Sequence, residues 1–268
     1  MNNLCVYGTR PEEIKLYPFT KYTNFDFLEV DQSKDLHQFL IEPHYRCAED
    51  GLKDIIKKSH YDRIVVQGDT RTAFYAALYG YEAGKEIVHV EAGLRTHDLY
   101  DPHPEEGYRM MIDQISTYKF CSTPESVKNC GGVYVGQTSI DTLFDFVDKI
   151  EDGCYYIVTV HRTPIENVLP VLEKYDNFIV FAHPNKIGQE LKKHYNCLEP
   201  MNYKDFVILL SQSKGCISDS GGLQEECAAL NKEFISLRKK TERGHGEQYP
   251  AGATKAIVDL LKYGTKRS

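Results

Sequence analysis

The feature that most constrains the fold is a unit that recurs along the chain: a short apolar run, a turn, and then a stretch with helical spacing. The unit is clear at Arg63–Gln67, which is followed by Gly68-Asp69-Thr70 and by a predicted helix from Thr72 to Ala83. A short apolar run between turn signals predicts a buried strand, and strands that alternate with helices predict a parallel sheet. We therefore expect an α/β protein with doubly wound parallel sheets.

The same criteria predict further strands and helices on both sides of a break at Glu151-Asp152-Gly153. The other predicted strands are 4–7, 27–30, 87–90, 118–121, 133–135, 155–160, 178–181, 215–218 and 234–237. The other main predicted helices begin at Pro11 or span 51–59, 105–117, 139–150, 165–175, 203–211 and 253–263. Because the alternation restarts after the break, we expect one domain over 1–150 and a second over 151–252.

Composition narrows the class of partner. The chain has 268 residues, a net charge of −7 and an isoelectric point near 5.8, which argues against a non-specific nucleic-acid surface. It has no apolar run of 18 residues, and its amino terminus enters a strand at once, so we expect a cytoplasmic protein without a membrane span or signal peptide.

The eight cysteines contain no C-x-x-C pair. Four of them lie in or beside apolar runs and are expected to be small buried apolar side chains: Cys5, Cys121, Cys154 and Cys216. The pattern therefore favours neither a disulfide framework nor a cysteine metal site.

Charged side chains are unusually dense between Val88 and Arg109. The apolar run leads directly into Glu91, and Ala92-Gly93 allows a sharp turn. Pro104-Glu105-Glu106 is typical of a first helical turn, with proline where a missing N–H costs nothing and acids near the positive helix end. The segment also contains Arg95, His97, His103 and Arg109. Because ligands bind at the carboxyl ends of parallel strands, this is a candidate site, and a charged surface loop is the alternative.

Asp69 follows the neighbouring strand and is expected beside Glu91 at the same sheet edge. Two carboxylates in one crevice can have pKa values that are pushed apart, which provides an acid and a base at one pH. Simple capping of the following helix by Asp69 is the other interpretation.

Two turns are candidate anion sites. Gly8-Thr9-Arg10 opens a helix that also carries Lys15, although a solvated first turn explains these cations as well. Ser220-Gly221-Gly222 opens a helix with several N–H donors and no Cβ in the way, and Glu226, one turn later, can accept hydrogen bonds from a ribose. The alternative at the second turn is a serine cap with glycine for tight packing.

Together these strings resemble the non-hydrolysing UDP-N-acetylglucosamine 2-epimerases, over nearly the whole chain. The matching strings, in the family's order, are GTRPEEIK at 8–15, GDT at 68–70, HVEAGLRTHDLYDPHPEEGYR at 89–109, HR at 161–162, HP at 183–184, DSGGLQEE at 219–226 and TER at 241–243. The resemblance implies a glycosyltransferase-B architecture, with two Rossmann-like domains facing across a cleft and the helix at 253–268 joining the first domain. It also implies a homodimer and a UDP-sugar substrate.

The chemistry implied by the resemblance is inversion at C2 of the sugar through elimination of UDP to 2-acetamidoglucal and re-addition, which requires neither NAD nor a metal. Carried over by position, the catalytic set is Asp69, Glu91, Glu105 and His161, and which carboxylate is the base stays open. The diphosphate is expected on Arg10, His161, Ser220 and Gly221. Lys15 and Arg109 are expected near the reacting sugar, and Glu226 on the ribose. The remaining implied binding residues are His183, Phe206, Gly222 and Arg243.

The chain departs from the family in several places. It is shorter, Gln32 is followed by Ser33 where bacterial members have a Gln-His string for an activating second UDP-sugar, Glu166 is displaced by two residues, and Gly244 stands where proline is expected. Four alternatives therefore stay open: the same elimination on another UDP-2-acetamido sugar such as a 6-deoxy-L-hexosamine, a hydrolysing epimerase, a glycosyltransferase, and a UDP-sugar-binding protein that has lost catalysis.

Overall fold

A computed structural model describes residues 1–31, 40–238 and 250–263. The predictions made for Gln32, Ser33, Arg243 and Gly244 lie outside these residues. The chain forms two compact units, the first from Met1–Thr142 with the segment that starts at Ala251, and the second from Leu143–Pro250.

The elements alternate as the sequence predicts. The strands are β1 Asn3–Tyr7, β2 Phe25–Asp31, β3 Tyr45–Ala48, β4 Arg63–Gln67, β5 Glu86–Ala92, β6 Tyr118–Cys121, β7 Val133–Tyr134, β8 Tyr156–Thr159, β9 Phe178–Phe181, β10 Cys197–Leu198, β11 Gly215–Ser218 and β12 Glu233–Ser236. The helices are α1 Arg10–Leu16, α2 Leu52–Lys58, α3 Arg71–Glu82, α4 Glu105–Ile115, α5 Pro124–Cys130, α6 Thr138–Phe146, α7 Ile165–Leu172, α8 Lys186–Leu191, α9 Tyr203–Ser211, α10 Gly221–Ala229 and α11 Ala253–Tyr263. Short 3₁₀ turns occupy Tyr17–Lys21 and Glu49–Gly51.

Each unit contains one parallel, Rossmann-like sheet, as expected. The first sheet has the order β3-β2-β1-β4-β5-β6-β7, and the second has the order β10-β9-β8-β11-β12. The order reverses beside β1 and β4 in the first sheet and beside β8 and β11 in the second, where Cys5 is paired with Val65 and Ser218 with Thr159. Such switch points open a crevice at the carboxyl ends of the strands, and ligands bind there.

The first sheet is buried on both faces. Successive side chains of a strand point to opposite faces, so one strand can contribute to two apolar clusters. On β1, Leu4 and Val6 pack into one apolar cluster, and Cys5 and Tyr7 pack into the other. The second cluster also contains Ile257, Val258 and Leu261 of α11. Burying each such aliphatic side chain stabilises the fold by about 1.5–3 kcal/mol relative to leaving it exposed.

Three details differ from the sequence-based expectations. Cys154 is exposed rather than buried, because it precedes β8 instead of lying in it. Pro104 is the N-cap of α4 rather than its first helical residue. The short elements β3, α8 and β10 were not predicted. Among the residues that the structure describes, no helix is long and apolar enough to cross a membrane.

Candidate active site

Glu91 lies at the end of β5, where the pairing with β6 shifts register between Val90 and Ala92. Its backbone is left-handed, with φ of 66°, which turns the side chain out of the regular alternation of the strand. The Glu91 carboxylate accepts hydrogen bonds from Lys15 Nζ at 2.5 Å, from Gln137 Nε2 at 3.2 Å and from Gln67 Nε2. The Lys15 and Glu91 side chains are only 12% and 5% exposed, so an ammonium and two amides hold this carboxylate in one position.

Asp69 lies in the turn after β4, beside Gly68 with its φ of 69°. Its carboxylate forms an ion pair with Arg109 of α4. Burial raises the pKa of Asp69, and the negative charge of Glu91 raises it further, whereas Arg109 and Lys15 act in the opposite direction. The net effect is a raised pKa, so the environment equips this carboxyl group to exchange a proton nearer neutral pH than an exposed aspartate does.

The first turns of α4 bring two more glutamates to the site. Glu106 is 1% exposed, accepts hydrogen bonds from the backbone N–H groups of Thr96 and His97, and lies 3.1 Å from Nη1 of Arg109. Glu105 is half-buried, and its Oε2 atom is inaccessible to water and has no hydrogen-bond partner within the described part of the chain. A buried carboxylate oxygen without a partner is costly, so the Glu105 oxygen is suited to receive a donor from a ligand.

A buried network that the sequence did not predict joins the elements of this site. His89, in the middle of β5, has no exposed surface; its Nδ1 lies 2.7 Å from Asp113 Oδ1 and its Nε2 lies 2.8 Å from the Gly68 carbonyl. Each ring nitrogen therefore faces a hydrogen-bond acceptor, and the imidazole links the turn after β4 to helix α4. Asp113 Oδ2 also accepts from Arg95 at 2.6 Å and from the Gly93 N–H at 3.2 Å. The network thereby fixes the turn before Asp69, the turn after Glu91 and helix α4. A histidine inside an apolar strand was the only sequence signal for it.

Glu12 connects the turn after β1 to the turn after β4. It is 1% exposed, and it accepts hydrogen bonds from the Gly8 N–H at 3.0 Å, from Thr9 Oγ1 at 2.8 Å and from Thr70 Oγ1 at 2.5 Å. Burial raises the pKa of Glu12, and these hydrogen bonds oppose that rise. Arg10, the first residue of α1, is half-buried beside this turn.

Replacing Arg109 by methionine should move one limb of the pH profile of kcat/KM, the one that Asp69 controls, to higher pH. The guanidinium holds the pKa of Asp69 below the value that burial and Glu91 would otherwise impose, so its loss lets that pKa rise. The shift is read from initial rates between pH 5 and 9, whatever the absolute loss of rate. Arg71→Met, whose exposed side chain is paired with Glu49, is the matched control and should leave the limb in place. An unchanged limb in Arg109→Met would show that Asp69 does not control it.

The second unit has its own cluster, built around Asp219 at the end of β11. Asp219 Oδ1 accepts from the His161 N–H at 2.9 Å and lies 3.2 Å from His161 Nδ1. Its Oδ2 accepts from the N–H groups of Arg162 at 2.7 Å and Thr163 at 2.8 Å, and from Thr163 Oγ1 at 3.0 Å. Burial alone would raise the pKa of Asp219, but these hydrogen bonds outweigh it and hold that pKa well below its usual range. Asp219 therefore orients the turn that carries His161.

Helix α10 starts in the same place. Ser220 is its N-cap, with its side chain accepting from the Leu223 N–H, and Gly221 is its first residue. A Cβ atom added at Gly222 would meet nothing closer than Ser220 Oγ at 3.9 Å, so packing within the protein does not require glycine there. Space above the first turn of a helix suits an anion, because backbone N–H groups and the positive end of the helix dipole point toward it.

The other predicted residues of this unit flank the cluster. The rings of His161 and His183 meet edge to face, with centroids 5.1 Å apart. Phe206 of α9 meets Phe181 at 6.0 Å. Glu226 is 6% exposed, and its Oε1 accepts a hydrogen bond from the Tyr203 hydroxyl at 2.8 Å, a partner that the sequence did not indicate.

The structure thus brings together Lys15, Asp69, Glu91 and Arg109 in the first unit, and His161 and His183 beside Asp219 in the second. Glu105 precedes Arg109 by one turn of α4. Within residues 1–31, 40–238 and 250–263, no three His, Cys, Asp or Glu side chains are grouped as a metal site.

Comparison with known proteins gives one consistent result. The model of the family described as UDP-N-acetylglucosamine 2-epimerase matches residues 48–255. A UDP-N-acetylglucosamine 2-epimerase of Bacillus subtilis is 30% identical, over 91% of this chain and 80% of the relative. Among solved structures, the Neisseria meningitidis UDP-GlcNAc 2-epimerase bound to UDP-GlcNAc superposes with a TM-score of 0.79 at 27% identity, covering 98% of this chain and 92% of that one. The Methanocaldococcus jannaschii UDP-GlcNAc 2-epimerase in complex with UDP-GlcNAc and UDP gives 0.77 at 25% identity, covering 100% and 94%.

Proposed function

The chain belongs to the UDP-N-acetylglucosamine 2-epimerase family, and on that premise we propose that it interconverts UDP-N-acetylglucosamine and UDP-N-acetylmannosamine. In the proposed reaction a base removes the C2 proton, the bond between C1 and the diphosphate oxygen breaks, and UDP leaves. The intermediate is 2-acetamidoglucal. UDP then adds back to C1 while a proton returns to C2 on the opposite face, so atoms and charge balance over the cycle.

The observation that carries this proposal is the pair of carboxylates at the ends of β4 and β5. Removing a weakly acidic C2 proton requires a positioned base, and returning one requires a positioned acid. Glu91 is held by Lys15 and two amides, whereas Asp69 has a raised pKa beside it. Two carboxyl groups with such different environments are suited to opposite roles at one pH. Glu105, with its unpartnered oxygen, is the third acid/base group in the proposal.

The leaving UDP needs donors that are already in place when its charge develops. For the diphosphate we propose Arg10 and His161 with the first turn of α10, namely Ser220, Gly221 and Gly222. For the reacting sugar we propose Lys15 and Arg109. We propose Glu226 for the ribose, and His183, Phe206 and Arg243 as further substrate-binding residues, the last of which lies outside the described residues.

Proton NMR in D₂O tests the proposal directly. The purified chain is incubated with UDP-N-acetylglucosamine, and the expected result is loss of the C2 proton signal together with growth of a manno product. Free UDP that accumulates in step with product would indicate a hydrolysing enzyme instead. If nothing exchanges, the same measurement with a 6-deoxy UDP-2-acetamido sugar decides between a different substrate and a binding protein without catalysis.

We also propose that the chain acts as a cytoplasmic homodimer. Large apolar side chains are exposed in the middle of α4 and in the loop before it, at Leu99, Tyr100, Met110 and Met111, and Leu99 and Met110 line one pocket. Exposed apolar patches of this kind are typical of interfaces between subunits. Light scattering during size-exclusion chromatography measures the mass, and a value of one chain at micromolar concentration would rule the dimer out.

A further inference from the structure

We propose that Cys121 and Cys130 form a reversible disulfide, and that its formation displaces the turn that follows Glu91. The two sulfur atoms lie 3.4 Å apart in a thiol–thiol hydrogen bond, with Cys121 at the end of β6 and Cys130 at the end of α5. This is a site of covalent modification separate from the proposed epimerase reaction.

The two thiols have the asymmetry that disulfide exchange needs. Cys130 is half-buried and reachable from solvent, whereas Cys121 is 0% exposed. The hydrogen bond from Cys121 lowers the pKa of the Cys130 thiol. The same hydrogen bond, together with burial, raises the pKa of Cys121. Cys130 is therefore the attacking thiolate, and Cys121 is the thiol that resolves the intermediate.

The oxidant in this proposal is a disulfide of a low-molecular-weight thiol such as glutathione. The Cys130 thiolate attacks one sulfur of that disulfide and releases one small thiol. Cys121 then loses its proton and attacks the sulfur of Cys130, which releases the second small thiol. The protein dithiol loses two electrons, and the small disulfide gains them.

The link to the proposed active site runs through Gly93. The Cys130 Sγ atom lies 2.8 Å from the position that a Cβ atom of Gly93 would take, and the Ser126 carbonyl lies 2.1 Å from it. Asn129 donates a hydrogen bond to the Gly93 carbonyl at 2.9 Å. The end of α5 is thus packed against the backbone two residues after Glu91, with no room for a side chain between them.

Closing the disulfide changes this packing. A disulfide bond is about 2.05 Å long, so the two sulfur atoms must approach each other by roughly 1.3 Å. Because Cys121 is fixed in the sheet, the motion falls on Cys130 and on Asn129 beside it. We expect Gly93 to shift with them. The Glu91 carboxylate should then move out of the position in which Lys15, Gln67 and Gln137 hold it.

The test titrates the full chain with mixtures of oxidised and reduced glutathione, then blocks remaining thiols and measures mass. Trypsin cleaves after Lys119 and Lys128, so Cys121 and Cys130 fall on separate peptides, which only a disulfide joins. The expected result is this joined pair, two free thiols fewer than the eight of the reduced chain, and full reversal by dithiothreitol. A stable glutathione adduct without the joined peptides would overturn the proposal.

Turnover measured on the same samples tests the link to Glu91. We expect oxidation to lower kcat at least threefold in the unsubstituted chain and in Cys154→Ser, which removes an exposed thiol elsewhere. Cys130→Ser should keep the reduced rate and show no response to oxidation. A joined pair with unchanged kcat would refute the link to Glu91. The mass result stands whether or not the chain proves to be an epimerase.

Discussion

Replacing Glu91 by glutamine is expected to lower kcat by about 10²–10⁴-fold, the usual contribution of a positioned acid or base. Glutamine keeps the size of the side chain and can adopt the same backbone conformation, but it cannot take a proton from C2. It also leaves the ammonium of Lys15, which is only 12% exposed, without its anionic partner. The measurement is the rate of deuterium incorporation at C2 of UDP-N-acetylglucosamine in D₂O, followed together with formation of the manno product.

Glu125→Gln is the matched control for this substitution. Glu125 is paired with Lys128 on the surface of the same unit, where the two side chains are 66% and 74% exposed, and such pairs contribute little to stability. Its rate should equal that of the unsubstituted chain. If Glu91→Gln retains its far-ultraviolet circular dichroism and still exchanges the C2 proton within threefold of the control, Glu91 is neither the base nor the acid.

For strongly apolar elements, the sequence predicts both that the element exists and at which residues it begins and ends. The strands at 63–67, 118–121, 178–181 and 215–218 and the helices at 203–211 and 253–263 are confirmed residue for residue. In the strands at 63–67 and 215–218 every side chain is buried, so the local pattern and the tertiary burial agree. The helix predicted at 139–150 is shorter and ends at Phe146.

The two strands that were not predicted have little to bury. Strand β3, Tyr45–Ala48, is mostly exposed at the edge of the first sheet, and backbone pairing with β2 holds it there. Strand β10 has only two residues, Cys197 and Leu198, beside β9. Hydrogen bonds to a neighbouring strand leave no periodic signal in the sequence, so these elements could not be predicted from it.

At the site, the sequence indicated which residues gather but not how they are paired. That Asp69 and Glu91 lie near each other follows from two adjacent parallel strands that end at one edge. The pairing of Lys15 with Glu91, and of His89 with Asp113, joins residues 76 and 24 positions apart. Such partners depend on how helices α1 and α4 pack on the sheet, and no local pattern encodes that.

Replacing Asp219 by alanine is expected to lower the free energy of unfolding by about 2–4 kcal/mol at pH 7, because three partly buried backbone N–H groups lose a charged acceptor together. The turn that carries His161 should also lose its orientation, which weakens UDP binding at least tenfold. Urea unfolding is followed by circular dichroism, since the chain has no tryptophan to report by fluorescence, and UDP binding is measured by calorimetry. Asp205→Ala is the matched control; it removes an exposed acid in the first turn of α9 and should change UDP binding little.

The pH dependence of this stability difference identifies its cause. The folded-state pKa of Asp219 lies below the unfolded value of about 3.9. The ionised Asp219 carboxylate therefore makes its full contribution to the free energy of unfolding above about pH 5. This contribution is lost as the pH falls below 4 toward the folded-state pKa. The difference in free energy of unfolding between the unsubstituted chain and Asp219→Ala, here called the gap, should accordingly narrow as the pH is lowered from 5 to 3. A gap that stays constant over this range would mean that side-chain packing, and not the ionised carboxylate, holds the His161 turn.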